Sequence, residues 1–89
     1  MRAIVTVIGK DRVGIIADVT ALLARHGVNV LDISQTVLQE YFTMIMLVDV
    51  SQATVPFARL KEDLAAAGQE RSLDIRIQRE DIFNAMHRI

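Results

Sequence analysis

The chain has 89 residues, of which 52% are hydrophobic and 24% are charged, and its formal net charge is −1. These values indicate one folded domain and exclude intrinsic disorder. Because the sequence contains no cysteine, disulfides, thiol catalysis and zinc–thiolate sites are excluded. Charges of both signs are interspersed and only four side chains are aromatic. We therefore expect no nucleic-acid partner, which would need a basic patch or a stacking platform.

The hydropathy of the chain points to a partner subunit and not to lipid. Mean hydropathy is +0.31, which is high for a soluble protein of this size. A short chain has a small core, and small proteins often gain stability by forming oligomers. No apolar run approaches the roughly 18 residues of a membrane span. The first apolar stretch is interrupted at residues 9–12, which is not the layout of a signal peptide. We expect a cytoplasmic protein with no membrane partner.

The first half of the chain reads as strand, helix, strand. Residues 3–8 are largely β-branched and apolar on both faces, which predicts a central strand. Residues 13–26 carry an apolar stripe at helical spacing, and Gly27 follows as a C-terminal cap residue. Residues 28–38 form the next predicted strand. Its alternation slips near Val30 and Leu31, which predicts a bulge there.

The second half repeats that order. Gln39 and Glu40 predict a tight hairpin turn before a strand over residues 41–50. Pro56 predicts the start of a helix that ends at Gly68. Residues 73–79 alternate cleanly between apolar and polar, which is typical of an edge strand with one wet face.

The order βαββαβ predicts an α+β, ferredoxin-like sandwich in a single domain over residues 1–89. Two helices would cover one face of a four-stranded antiparallel sheet whose first and third strands are central. The second face is too apolar to remain in water. Either a short C-terminal helical tail, residues 80–89, or the sheet of a second subunit would cover it. We predict a homodimer in which the tail takes part.

The turn between the first strand and the first helix is the candidate site. It holds Gly9, Asp11, Arg12 and Gly14, where a helix N-terminus leaves main-chain N–H groups free for an anion. Asp11 could accept hydrogen bonds from an ammonium, while the N–H groups and Arg12 hold a carboxylate. That combination suits a free amino acid. Alternatively Asp11 only caps the helix, and Arg12 is only a solvated surface side chain.

Two segments resemble those of a known family, the ACT domain: Gly9-Lys10-Asp11-Arg12-Val13-Gly14-Ile15-Ile16 and residues 27–35. The sequence is most similar to the ACT modules of formyltetrahydrofolate deformylase and glycine-cleavage regulators, and to small stand-alone ACT proteins. The stand-alone proteins share the tail, so the resemblance spans the whole chain.

The resemblance implies side-by-side or face-to-face pairing and amino-acid binding at the subunit interface. The residues that match the binding motif are Asp11, Arg12, Gly14, Ile15 and Asn29, and Asn29 would fix the orientation of the ligand. Val13 belongs to the same predicted set, although it stands where many relatives have proline. We expect a regulatory module and not an enzyme, with no cofactor, and an effector protein that reads the bound state.

Two alternatives remain open. One is an assembly module that binds no metabolite and docks onto another protein. The other is an acylphosphatase-like enzyme on the same fold, since Arg12 and Asn29 offer the two residue types that such enzymes use. No metal site is predicted, because His87 with Glu80 or Asp81 does not make a compact ligand set.

Overall fold

The computed structural model describes residues 1–81 and has the predicted order of strands and helices. The elements are β1 (Arg2–Lys10), α1 (Ile15–Arg25), β2 (Asn29–Leu38), β3 (Tyr41–Asp49), α2 (Phe57–Glu70) and β4 (Leu73–Arg79). The bounds of β4 agree with the prediction residue for residue. The helical tail was predicted over residues 80–89; Glu80 and Asp81 are helical, and the rest of that segment lies outside the described residues.

The sheet is antiparallel with the order β2-β3-β1-β4, which confirms the ferredoxin-like topology with β1 and β3 in the middle. Arg2 of β1 lies opposite Asp49, and Lys10 lies opposite Tyr41. The pairing of β2 with β3 shifts register between Val30 and Asp32, which confirms the predicted bulge.

Both helices contribute to one core against a single face of the sheet. Because side chains alternate along a strand, every second residue of β1, β3 and β4 points toward the helices. The phase in β1 is the one that carries Ala3, Val5 and Val7, all fully buried. The core also takes Ile15, Val19, Leu22 and Leu23 from α1, Leu60 and Leu64 from α2, and Phe42, Met44, Met46, Val48, Leu73, Ile75 and Ile77 from the sheet.

Two predicted helix boundaries were wrong. Asp11 does not cap α1; the N-cap is Gly14, in a left-handed conformation with φ +91°, without a side-chain capping bond. Gly68 does not end α2, which continues to Glu70. Gly68 is buried inside the helix, and a Cβ there would stand 2.7 Å from the carbonyl oxygen of Leu73. Its role is close packing of α2 on β4.

The opposite side of the sheet, called the outer face below, presents the other set of alternating side chains. Its centre consists of Ile4, Thr6 and Ile8 from β1 and Thr43, Ile45 and Leu47 from β3. Ile8 is 49% exposed and Ile45 is 43% exposed. Within residues 1–81, neither helix has the length and apolar composition needed to cross a bilayer.

Candidate functional site

The turn between β1 and α1 is held in place by the hairpin between β2 and β3. The main-chain N–H of Asp11 donates to the carbonyl oxygen of Glu40 at 2.7 Å. Gly14 then takes the left-handed conformation that lets the chain enter α1 directly after the turn. The turn therefore sits beside the hairpin end of β2, with the first turn of α1 above it.

Main-chain donors at the start of α1 are free, as predicted. The first intrahelical bond runs from the N–H of Asp18 to the carbonyl oxygen of Gly14, at 2.9 Å. The N–H groups of Ile15, Ile16 and Ala17 find no acceptor among residues 1–81. These groups carry the positive end of the helix dipole and are suited to an anion. The N–H of Asp11, in contrast, is already used by Glu40.

The two charged side chains of the turn, Arg12 and Asp11, differ in their contacts with the rest of the protein. The Arg12 guanidinium lies over the helix terminus, where Nη2 is 3.1 Å from Oδ2 of Asp18 and Nη1 donates to the carbonyl oxygen of Val13. Both members of this ion pair are about half exposed, so the pair stabilises the fold little and can open for a ligand. The carboxylate of Asp11 is exposed and has no hydrogen-bond partner among the described residues.

A groove of about 410 Å³ runs from this turn along the gap between α1 and β2. Its floor is the buried pair Ile15 and Phe42, and its walls include Ile16 and Val37, which are 37% and 51% exposed. Asp11, Arg12 and Gly14 close one end. The groove therefore combines an apolar interior with charged and N–H groups at one end, the usual composition of a small-molecule site.

Asn29 does not lie at this groove within one chain. It is opposite Asp49 at the start of β2, and Asp49 is opposite Arg2 at the start of β1. Because β2 runs parallel to β1, Asn29 is about 26 Å along the strands from the end of β1. The structure thus places four of the six predicted residues at the groove, namely Asp11, Arg12, Gly14 and Ile15. Val13 is 98% exposed and does not line it. The role of Asn29 stays a prediction, and it requires a second chain.

The sequence prediction missed the residues of β2 and β3 that complete the groove. Gln35 and Val37 line the groove from β2, and Phe42 lines it from β3. The predicted strand order already implied that these residues lie near the turn. A hairpin between β2 and β3, with β3 beside β1, makes β2 parallel to β1 and places the end of β2 beside the turn.

Most of β2 is exposed on both faces. Every residue from Leu31 to Leu38 is exposed, including Ile33 at 40% and Leu38 at 69%. The groove is consequently open along the outer edge of the sheet. An exposed apolar edge strand is a surface that proteins normally cover.

Comparison with known proteins decides the family. The family model described as "ACT domain" matches residues 2–78. This chain belongs to the ACT domain family. The ACT domain is 55% identical over 89 residues to a UPF0237 protein of Clostridium acetobutylicum, and the match covers all of both chains.

Solved structures agree with the assignment. The ACT domain superposes on the "ACT domain protein from Streptococcus pneumoniae" with a TM-score of 0.83 and 47% identity, covering 98% of both chains. It also matches a formyltetrahydrofolate deformylase from Pseudomonas syringae with a TM-score of 0.77 and 26% identity, covering 88% of this chain and 27% of that one. The predicted resemblance to the deformylase module is thereby confirmed.

Proposed function

We propose that this ACT domain binds a small amino acid in the groove beside α1 and acts as a non-catalytic regulatory module. The single observation that carries the proposal is the N-terminus of α1, whose N–H groups have no acceptor within residues 1–81 and open onto an apolar groove beside the exposed carboxylate of Asp11. Membership of a family of small-molecule-binding regulatory modules supports the same conclusion.

The charges of the groove suit a zwitterion. The N–H groups of Ile15 and Ile16 offer donors for a carboxylate, and the Arg12 guanidinium is close enough to add a charge-assisted hydrogen bond. Asp11 provides the acceptor for an ammonium. The side chain of the ligand would contact the apolar walls formed by Ile16 and Val37, which favours a small, uncharged amino acid.

The complete site, in this proposal, is formed by two chains. When two copies pair their β2 edges antiparallel about a two-fold axis, the start of one β2 lies beside the end of the other. Asn29 of the partner subunit then approaches the open end of the groove near Val37. This pairing covers the exposed edge strand and makes Asn29 available to the ligand at the same time.

Regulation follows from the position of the site at an interface. A ligand that contacts both chains favours the packing in which those contacts form, and it shifts the population toward that packing. A separate effector protein would then bind one packing in preference to the other. The proposal places this process in the cytoplasm.

Titration calorimetry against each of the twenty amino acids, with matched variants, tests the proposal. We expect saturable heat with a subset of small amino acids, and an affinity lower by about tenfold or more in Asp11→Asn. Glu62→Gln, which removes an exposed charge from α2, is the matched control and keeps wild-type affinity. Absence of heat and of any thermal shift with all twenty amino acids contradicts the proposal.

The assembly module is the second candidate, and the exposure of β2 from Leu31 to Leu38 favours it. It predicts a dimer or a larger assembly whose stability does not change with any amino acid. The acylphosphatase-like alternative loses its basis in a single chain, since Arg12 and Asn29 lie at opposite ends of the sheet. Hydrolysis of an acyl phosphate that disappears in Arg12→Ala would restore it.

A further inference from the structure

The guanidinium of Arg12 is held at the N-terminus of α1 by a carboxylate from the first turn of that helix. Nη2 of Arg12 donates to Oδ2 of Asp18 at 3.1 Å, and Nη1 donates to the carbonyl oxygen of Val13 at 3.3 Å. A Cβ added to Gly14, the N-cap residue, would stand 4.0 Å from Nη1. The guanidinium therefore lies against the N-cap, at the end of α1 whose N–H groups are suited to an anion.

This position is explained by Asp18 and not by the helix. A helix N-terminus carries a partial positive charge, which disfavours a cation beside it and favours an acidic side chain in the first turn. Within residues 1–81, Asp18 is the one acidic side chain at salt-bridge distance from Arg12, although Asp11 is its neighbour in sequence. The Asp18 carboxylate therefore determines where the guanidinium lies.

We propose that Asp18 is a positioning residue that competes with the carboxylate of the ligand for Arg12 and thereby lowers the affinity of the groove. This inference rests on the proposed function, in which Arg12 adds a charge-assisted hydrogen bond to an amino-acid carboxylate. To form that bond, Arg12 exchanges one carboxylate for another, so the ligand gains only the difference between two similar interactions. In Asp18→Asn the competing acceptor is a neutral amide, which binds a guanidinium less strongly.

The exposure of the ion pair determines the size of the expected effect. Both side chains are about half exposed, and exposed pairs of this kind change an equilibrium by about two- to fivefold. Asp18→Asn should therefore bind the amino acid about two- to fivefold more tightly than the wild type. A merely structural role predicts the opposite sign, because removing an acidic side chain from the first turn weakens α1.

Titration calorimetry of four full-length proteins with each of the twenty amino acids tests the competition. The proteins are the wild type, Asp18→Asn, Arg12→Ala and the double variant. We expect the gain in affinity from Asp18→Asn in the wild-type background and no gain when residue 12 is already alanine. An equal gain in both backgrounds would mean that Asp18 repels the ligand directly, and it would overturn a role through Arg12.

Chemical labelling measures the position of Arg12 without any amino acid. Phenylglyoxal modifies accessible guanidinium groups, and mass spectrometry of the digested protein reports the rate at Arg12. We expect this rate to rise about twofold or more in Asp18→Asn, because the ion pair no longer holds the side chain. Equal rates in the wild type and Asp18→Asn would contradict the proposal.

Asp74→Asn is the matched control for both measurements. Asp74 also forms an exposed pair, with Oδ2 at 3.2 Å from Nε of Arg76, and it lies opposite Ile8 on the outer face, away from the groove. Its removal should change neither the affinity nor the labelling of Arg12. Binding by the wild type without a gain in Asp18→Asn contradicts this inference and leaves the proposed function standing. Absence of binding by both proteins contradicts both.

Discussion

Asp11 and Glu40, which are far apart in the sequence, are joined by a main-chain hydrogen bond of 2.7 Å. The bond fastens the turn that precedes α1 to the hairpin that precedes β3. Because the hairpin ends β2, the same bond sets the distance between the free N–H groups of α1 and the wall formed by β2. The groove is therefore defined by the topology of the sheet and not by the turn alone.

Asp11→Asn should separate recognition of the ammonium from recognition of the carboxylate. The variant keeps the main-chain bond to Glu40 and loses a charge-assisted bond of about 1.5–3 kcal/mol, so the affinity for an amino acid falls about tenfold or more. The affinity for the matching carboxylic acid without the amino group stays the same or rises. Calorimetry with both compounds measures the difference. Equal losses for both compounds would show that Asp11 does not contact the ammonium.

Ile33→Lys should convert the protein into a monomer. Ile33 lies near the middle of β2 and is 40% exposed, so a two-fold pairing of the β2 edges brings two introduced charges together. Asp74→Lys places the same charge on the exposed side of β4 and leaves the dimer intact. Light scattering coupled to size exclusion measures both masses. Dimers of both variants would place the interface elsewhere.

Gly14→Ala and Gly27→Ala should lower the free energy of unfolding by different amounts, although both glycines have positive φ. Gly14 has φ +91°, and its nearest atom to an added Cβ is Nη1 of Arg12 at 4.0 Å. The change therefore costs about 1–2 kcal/mol of backbone strain. Gly27 has φ +72°, and its added Cβ also collides with the carbonyl oxygen of Gln52. We therefore expect chemical unfolding to show a larger decrease in the free energy of unfolding for Gly27→Ala than for Gly14→Ala. Equal decreases would contradict this.

Asp49 should make stability depend on pH in the acidic range. Hydrogen bonds from the Ser51 hydroxyl and N–H, with a smaller effect of the N-terminal ammonium, lower the pKa of Asp49 below its ordinary value of 3.8. A carboxyl whose folded pKa is lowered stabilises the protein above the unfolded pKa, and the effect is lost as pH falls through the folded pKa. Asp49→Asn should therefore lower the melting temperature at pH 7, and the difference should shrink as the pH falls below 3.8 and disappear once the carboxyl of the folded protein is protonated. A constant difference across this range would show that charge is not involved.

The sequence was sufficient for the parts of the fold that depend on local pattern. The alternation in β4 and the slip near Val30 located a strand and a bulge, since the period of two is set within a strand. Gly68 was misread because a glycine that permits close packing and a glycine that ends a helix look alike in sequence. The distinction depends on the carbonyl of Leu73, which only the fold brings near.

The site was predictable at the turn and less so beyond it. The free N–H groups of α1 follow from a general property of helix ends. Asn29 was placed beside the turn by its resemblance to a family motif, whereas one chain holds it about 26 Å away along the strands. No local pattern records which chain supplies a residue to a site between subunits.

Mixing two inactive variants tests this arrangement most directly. Asp11→Asn and Asn29→Ala chains are each unable to complete a site with their own kind. In a mixed dimer, one of the two sites receives Asp11 from one subunit and Asn29 from the other, both unchanged. After subunit exchange, half of the dimers are mixed, so calorimetry should recover about one quarter of the wild-type binding sites. Recovery of no sites, although exchange has taken place, would contradict a site shared between two chains.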